Sequence, residues 1–141
     1  MAMDIIVDTA PSDADLKAIR DQLIAYNVAT TQRPREIKPL AVLIKDDAGN
    51  TIGGLSGAAF YDWLFIEYLI IPEQLRGQDI GTRLMAEAEA YARAHQLAGI
   101  WLDTFSFQAR PFYEKLGFTL AGQIDDFPRG GTRYFLSKSL A

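Results

Sequence analysis

The chain has 141 residues, of which 49% are hydrophobic and 23% charged, with a net charge of −4, one histidine and no cysteine. That length suits one domain, residues 1–141, with a single core, and the composition excludes low-complexity or disordered classes. Without cysteine there is no disulfide framework or thiol nucleophile, one histidine leaves no zinc ligand set, so no metal is expected, and the acidic balance argues against nucleic acid.

At the N-terminus, Met1-Ala2-Met3-Asp4 lacks the basic start and apolar core of a signal peptide. No window approaches the ~20 apolar residues that span a bilayer, so no membrane is expected and a cytoplasmic protein is the simplest expectation. Ser12, with an acid three residues on, can cap a helix, and Leu16, Ile19, Leu23, Ile24 and Tyr26 recur at helical spacing, which predicts a helix over about 12 to 29. Leu40 to Ile44 is an apolar strand, Asp46-Asp47-Ala48-Gly49-Asn50 a turn, and Thr51 to Tyr61 its partner. Three glycines in that partner, Gly53, Gly54 and Gly57, suggest a close backbone approach or irregular twist. From Leu64 to Ile71 nearly every residue is apolar, so this strand is expected to be buried on both faces, with Glu67 as the exception.

The next stretch carries that strand through a glycine-bearing turn, Arg76-Gly77-Gln78-Asp79-Ile80-Gly81-Thr82, into a helix whose apolar face is Leu84, Ala88 and Tyr91. A helix starting after such a turn presents backbone N–H groups without carbonyl partners, with the positive end of the dipole behind them. This is a cradle for a phosphate. The loop lacks the Lys-Ser/Thr of a nucleotide P-loop and the G-x-G-x-x-G spacing of a dinucleotide fold, so neither reading is supported. Further on, Gly99 to Asp103 is a short strand, Gln108 to Leu116 a helix stopped by Gly117, and Phe118 to Ile124 and Arg133 to Leu136 are two closing strands. His95, near the end of its helix, reads as structural or exposed.

With the strand, loop and helix in this order, followed about thirty residues later by Phe112-Tyr113-Glu114-Lys115-Leu116-Gly117-Phe118, residues from about 40 to 138 resemble the GNAT superfamily of acyl-CoA-dependent N-acetyltransferases. The loop matches that family's Q/R-x-x-G-x-G/A pattern, except that Asp79 stands where the family usually has glycine. The aspartate adds a Cβ and a negative charge near the expected pyrophosphate, or it caps the helix start. The resemblance implies an α/β (α+β) fold: a mixed, mostly antiparallel sheet of six or seven strands flanked by helices and splayed between the fourth and fifth.

The resemblance also implies transfer of an acetyl group from acetyl-CoA, a co-substrate, to a primary amine by direct attack in a ternary complex. Its pyrophosphate would sit on the amides of Arg76, Gly77, Gln78, Asp79, Ile80, Gly81 and Thr82. The pantetheine would run along Leu69, Ile70 and Ile71, and Ser106 falls where many relatives carry a CoA-contacting asparagine. Tyr113 aligns with the family tyrosine beside the CoA sulfur and is the expected acid for the thiolate. Glu67 is the expected base, since a lone carboxylate in an apolar strand costs free energy to bury unless it is paired, hydrated or used. Asp103 is a second candidate, or the cap of the turn Thr104-Phe105-Ser106.

Phe60, Tyr61, Trp63, Tyr134 and the Asp125-Asp126 pair are candidates for an aromatic, acidic acceptor mouth, although residues of these types more often serve as core and loop. The acceptor would be a small-molecule or peptide amine, and pairing of an exposed final strand with a second copy offers a route to a homodimer. The alternative of a different class is a non-catalytic acyl-CoA-binding or sensor module.

Overall fold

A computed structural model describes residues 2–141, and its contacts divide the chain into two units, one ending at Glu36 and one running Ile37–Ala141. In the first unit the Ser12 side chain accepts the N–H of Asp15 at 3.1 Å and starts α1, Asp13–Thr31. Asp13 and Asp15 in the first turn suit the dipole. Gln32, left-handed at φ 59°, ends the helix by donating its N–H to the Val28 carbonyl.

The second unit contains β1 (Lys38–Lys45), β2 (Thr51–Phe60), β3 (Trp63–Ile70), α2 (Ile80–Ala94), β4 (Gly99–Phe105), α3 (Arg110–Lys115), β5 (Thr119–Asp125) and β6 (Thr132–Ser139). The β1–β2 turn closes on Asp46, whose carboxylate accepts the N–H groups of Ala48 and Asn50. The six strands form one sheet in the order β1-β2-β3-β4-β6-β5, antiparallel except for the pair β3 and β4, which α2 joins as a crossover. The last strand is therefore not an edge. β6 lies between β4 and β5, so the edge pairing expected of it is closed, and the edges are β1 and β5.

Leu84, Met85, Ala88 and Ala92 of α2 bury against Leu55, Leu64, Ile66, Ile100, Leu102 and Leu136 of the sheet. The four largest fully buried side chains, Leu64, Ile100, Leu102 and Leu136, come from adjacent strands β3, β4 and β6. Each contributes on the order of 2 kcal/mol by leaving water, and together they hold the two strands that border the site.

The decisive irregularity is in β3. Ser56 of β2 faces Tyr68 and the next residue, Gly57, faces Ile66, so Glu67 has no partner across the ladder. This bulge shifts the inward-facing positions from even to odd numbers: Leu64 and Ile66 are buried before it, and the half-buried Leu69 and Ile71 pack on the same core after it. β3 pairs with β4 only over Trp63 to Ile66, against Gly99 to Leu102, although β3 continues to Ile70 and β4 to Phe105. Beyond Ile66 the two strands part. The opening, expected between the fourth and fifth of six or seven strands, falls between β3 and β4 of these six.

Two-faced burial, expected for β3 from its apolar run, ends at this point, and Tyr68 and Ile70 are 68% and 60% exposed. Gly57 shows why a glycine is needed opposite the bulge. A Cβ there would stand 1.9 Å from the Phe65 carbonyl oxygen, a backbone atom held in the sheet. Gly57→Ala is expected to cost about 3 kcal/mol or more by forcing the ladder apart. Gly122→Ala, where nothing lies within 4 Å of the added atom, is expected to stay within about 0.5 kcal/mol. Urea denaturation of the pair measures both, and equal midpoints would refute the bulge's dependence on Gly57.

Candidate functional site

The opening between β3 and β4 leads into a cleft of about 1130 Å³, lined by residues 67–71 of β3 and its end, by the loop before α2, by Asp103 and Thr104 of β4, and by α3. The cleft unites most of the residues singled out from sequence. Glu67, Leu69, Ile70, Ile71, Arg76, Gly77, Asp79, Ile80, Gly81, Thr82 and Tyr113 all line it.

The loop begins after a short 3₁₀ turn, Glu73–Leu75, and reaches α2 through two positive-φ residues, Gly77 at 80° and Asp79 at 58°. The Arg76 amide donates to the Glu73 carbonyl at 3.2 Å, so this member of the expected cradle is already engaged. From Gly77 to Thr82, by contrast, no amide has a protein acceptor among the described residues, and the first helical amide bond is that of Arg83 to the Asp79 carbonyl, 3.1 Å. Free amides at a helix start suit an anion. Gln78 belongs to this run, although its side chain is not among the cleft-lining groups.

The two loop glycines serve different ends. Gly77 needs its backbone conformation and has open space where a Cβ would be, whereas a Cβ on Gly81 would stand 3.1 Å from the Phe112 ring. Asp79 takes the left-handed conformation that glycine adopts without cost, and its side chain caps nothing. Of its two sequence readings, the helix cap is therefore set aside.

Tyr113 is 9% exposed, with its ring edge-on to Phe112 and to Phe118. Burial first, and the negative charge of Asp103 second, hold its phenol above the usual range near 10.0. No protein group bonds the hydroxyl among the described residues and it is not a buried unsatisfied atom, so the oxygen is open to the cleft that the ring lines.

Glu67, the exception in the apolar strand, stands at the bulge and is exposed, so its carboxylate is hydrated and not buried. The bulge breaks the alternation that would have turned it inward or outward with its neighbours. Asp103 is clamped by Arg133: Nε donates to Oδ1 at 3.0 Å and a terminal nitrogen lies 2.9 Å from Oδ2. With both oxygens engaged by a guanidinium, it does not cap the following turn.

Other residues singled out from sequence lie outside the cleft. Ser106 does not line the cleft; its hydroxyl accepts the Thr132 N–H at 3.1 Å and ties the end of β4 to the start of β6. Phe60, Tyr61 and Trp63 sit at the β2–β3 turn, the end of β3 remote from the opening. Tyr134 lies under the Arg110 guanidinium, and Asp125 and Asp126 hold the β5–β6 hairpin through Thr132 and Gly130. His95 bonds the Tyr91 carbonyl at 2.9 Å and stacks on that ring, the structural role expected of it. Residues that sequence reasoning passed over include Tyr68, Thr104, Phe107 and Gln108, all lining the cleft. The signal available for Phe107 was a large apolar side chain in a turn, where packing does not call for one.

Among the described residues no group of three or more His, Asp or Glu side chains is placed to hold a metal, and no helix is long and apolar enough to cross a membrane.

Residues 6–118 match the model of the acetyltransferase (GNAT) family. An acetyltransferase of Agrobacterium fabrum is 36% identical over 134 residues, covering 95% of this chain and 96% of the relative. Blasticidin-S acetyltransferase of Streptomyces morookaense is 38% identical over 130 residues, covering 89% and 96%. A crystal structure from Agrobacterium tumefaciens superposes with a TM-score of 0.91 at 33% identity, over 98% of this chain and all of the other. Sequence, sheet order and the free-amide loop agree, and the chain belongs to the GNAT acetyltransferase family.

Proposed function

We propose that this chain is an N-acetyltransferase that moves an acetyl group from acetyl-CoA to the primary amine of a small-molecule or peptide acceptor, by direct attack in a ternary complex. The observation that carries the reading is the run of partnerless amides from Gly77 to Thr82 at the mouth of a cleft that also holds Tyr113. These amides and the α2 dipole suit the pyrophosphate. From there the pantetheine follows β3 at Leu69, Ile70 and Ile71 along the side that faces β4, where β4 no longer pairs beyond Ile66. An N–H on that edge polarises the thioester carbonyl and stabilises the oxyanion as the amine attacks. The name of the Streptomyces relative, an acetyltransferase of blasticidin-S, supports a small-molecule acceptor.

Two proton transfers complete the reaction. The acceptor ammonium, with a pKa of ~10, gives up a proton before its lone pair can attack the carbonyl carbon. Glu67, exposed at the cleft rim, takes that proton through water. As the C–S bond breaks, the Tyr113 phenol gives its proton to the sulfur, whose conjugate acid has a pKa of ~8.5, and the second proton shed by the attacking nitrogen as the amide forms restores the phenol. The Arg133 clamp holds Asp103 in place, and after burial the Asp103 charge is the second influence that favours the protonated phenol.

Release of free thiol on mixing the purified protein with acetyl-CoA and a panel of amines tests the reading, and CoA binding without thiol release from any amine would favour the sensor module instead. Tyr113→Phe is expected to lower kcat about 100-fold, the scale of a lost general acid, while the CoA Kd from calorimetry changes less than about two-fold. An unchanged kcat would make the residue a packing group. Because the folded protein raises the phenol pKa, its acid form persists at every lower pH and is lost only as pH rises through that raised value. The alkaline fall in kcat that depends on Tyr113 is therefore expected above pH ~10, read from pH profiles of the parent and Tyr113→Phe proteins. Asp79→Gly removes both a strained φ and a negative charge, and is expected to tighten CoA about five-fold, or ~1 kcal/mol. Weaker binding in the glycine variant would show that the aspartate assists the cofactor.

A further inference from the structure

Alternation along β4 separates two faces of the sheet at the opening. Leu102 and Thr104 are buried on the face covered by α2, together with Leu136 of β6. Asp103 and Phe105 therefore point to the other face, as do their cross-strand neighbours Phe135 and Arg133. The phosphate loop runs into α2 and so belongs to the first face. Whatever meets the thioester from the opposite side meets the second.

On that second face the side chains are aromatic in an ordered way. Phe107 stacks on Phe105 with the rings 7° from parallel and centroids 5.3 Å apart, and Phe127, from the β5–β6 hairpin, lies 5.6 Å from Phe105. The Arg133 guanidinium that clamps Asp103 sits 5.0 Å from the Phe127 ring and 5.4 Å from the Phe105 ring, so the base of the stack is held by an ion pair and a cation–π contact. The outer member, Phe107, is 70% exposed and lines the cleft beside Asp103. Across the opening the cleft is lined by Tyr68, 68% exposed, next to Glu67. Two large rings are thus left open to water on the two sides of one mouth. Their burial by a ligand recovers apolar area that folding left exposed.

We propose that the acceptor is an amine carrying a flat, unsaturated ring, which stacks on the open face of Phe107 on the sheet face opposite the phosphate loop, with its amino group directed toward Glu67 and the thioester. The inference rests on the N-acetyltransferase reading and adds the chemical class of the acceptor. A flexible polyamine or a peptide without a ring meets an aromatic face through cation–π or aliphatic contact alone, whereas a planar ring also gains offset stacking beyond its buried area. The rigid support from Phe105, Phe127 and Arg133 keeps Phe107 in the stacking plane before the ligand arrives, which lowers the ordering cost.

The test compares two acceptors of the same shape, 2-phenylethylamine and 2-cyclohexylethylamine, by kcat/KM with acetyl-CoA at saturation. In the parent protein the aromatic amine is expected to be favoured by about five- to ten-fold, and in Phe107→Leu, which keeps apolar bulk without a ring, that ratio is expected to fall to about one. Tyr68→Leu serves as a second variant on the other side of the mouth and is expected to lower the ratio less. Calorimetry with CoA reads the other occupant the ring stack could take: a Phe107→Leu protein that loses CoA affinity but keeps the acceptor ratio would overturn the proposal and assign the ring to the cofactor. Turnover of both amines with equal kcat/KM in the parent also overturns it while leaving the N-acetyltransferase reading intact. Turnover of neither these nor any other amine overturns both.

Discussion

The structure depends on a constraint one residue long. Because Glu67 has no partner in β2, β3 changes the parity of its inward-facing residues and leaves β4 after Ile66. Gly57 permits this by leaving room for the Phe65 carbonyl where any side chain would collide. A parallel pair that stays together offers a ligand only its ends, but a pair that separates offers backbone edges along several residues on both strands. Everything assigned to the cleft lies at or beyond that parting.

Two further devices convert the opening into a directed site. The loop before α2 withholds the amides of Gly77 to Thr82 from internal bonding, so a row of donors meets the cleft at the positive end of a helix packed on the sheet. The Arg133–Asp103 pair lies on the other side, joining β6 to β4 where β4 has lost β3. It fixes a charge beside Tyr113 and supports the phenylalanine stack at the same time. The free-amide loop and the phenylalanine stack thereby lie on opposite faces of one sheet, which is the arrangement that the proposed donor and acceptor sites use.

Asp79 shows how a departure from a family pattern reads in three dimensions. Only the backbone angle at this position explains why glycine suits it, and an aspartate there holds the same conformation under strain without a capping bond to offset it. The residue is thus tolerated by the fold while it alters the charge that a diphosphate would meet.

What was legible from the sequence was whatever is written in local pattern. The Ser12 cap, the six strands, α2 with its apolar face, and the glycine turn with unsatisfied amides all follow from spacing and from the backbone's need for partners, which neighbours in the chain determine. The order of the motifs likewise carried the family resemblance and brought Tyr113 to the cleft. Facts that depend on residues distant in sequence were not legible. The position of β6 inside the sheet is set by pairing across more than thirty residues, from Asp103 to Phe135. Nothing local reveals that the Ser106 hydroxyl accepts the Thr132 N–H. An apolar run names Glu67 as an exception without saying where it lies, because a bulge is a property of two strands compared residue by residue, and Phe107 acquires meaning only once Phe105, Phe127 and Arg133 are assembled behind it. Chain-local periodicity decided which elements exist, and long-range pairing decided which side chains meet.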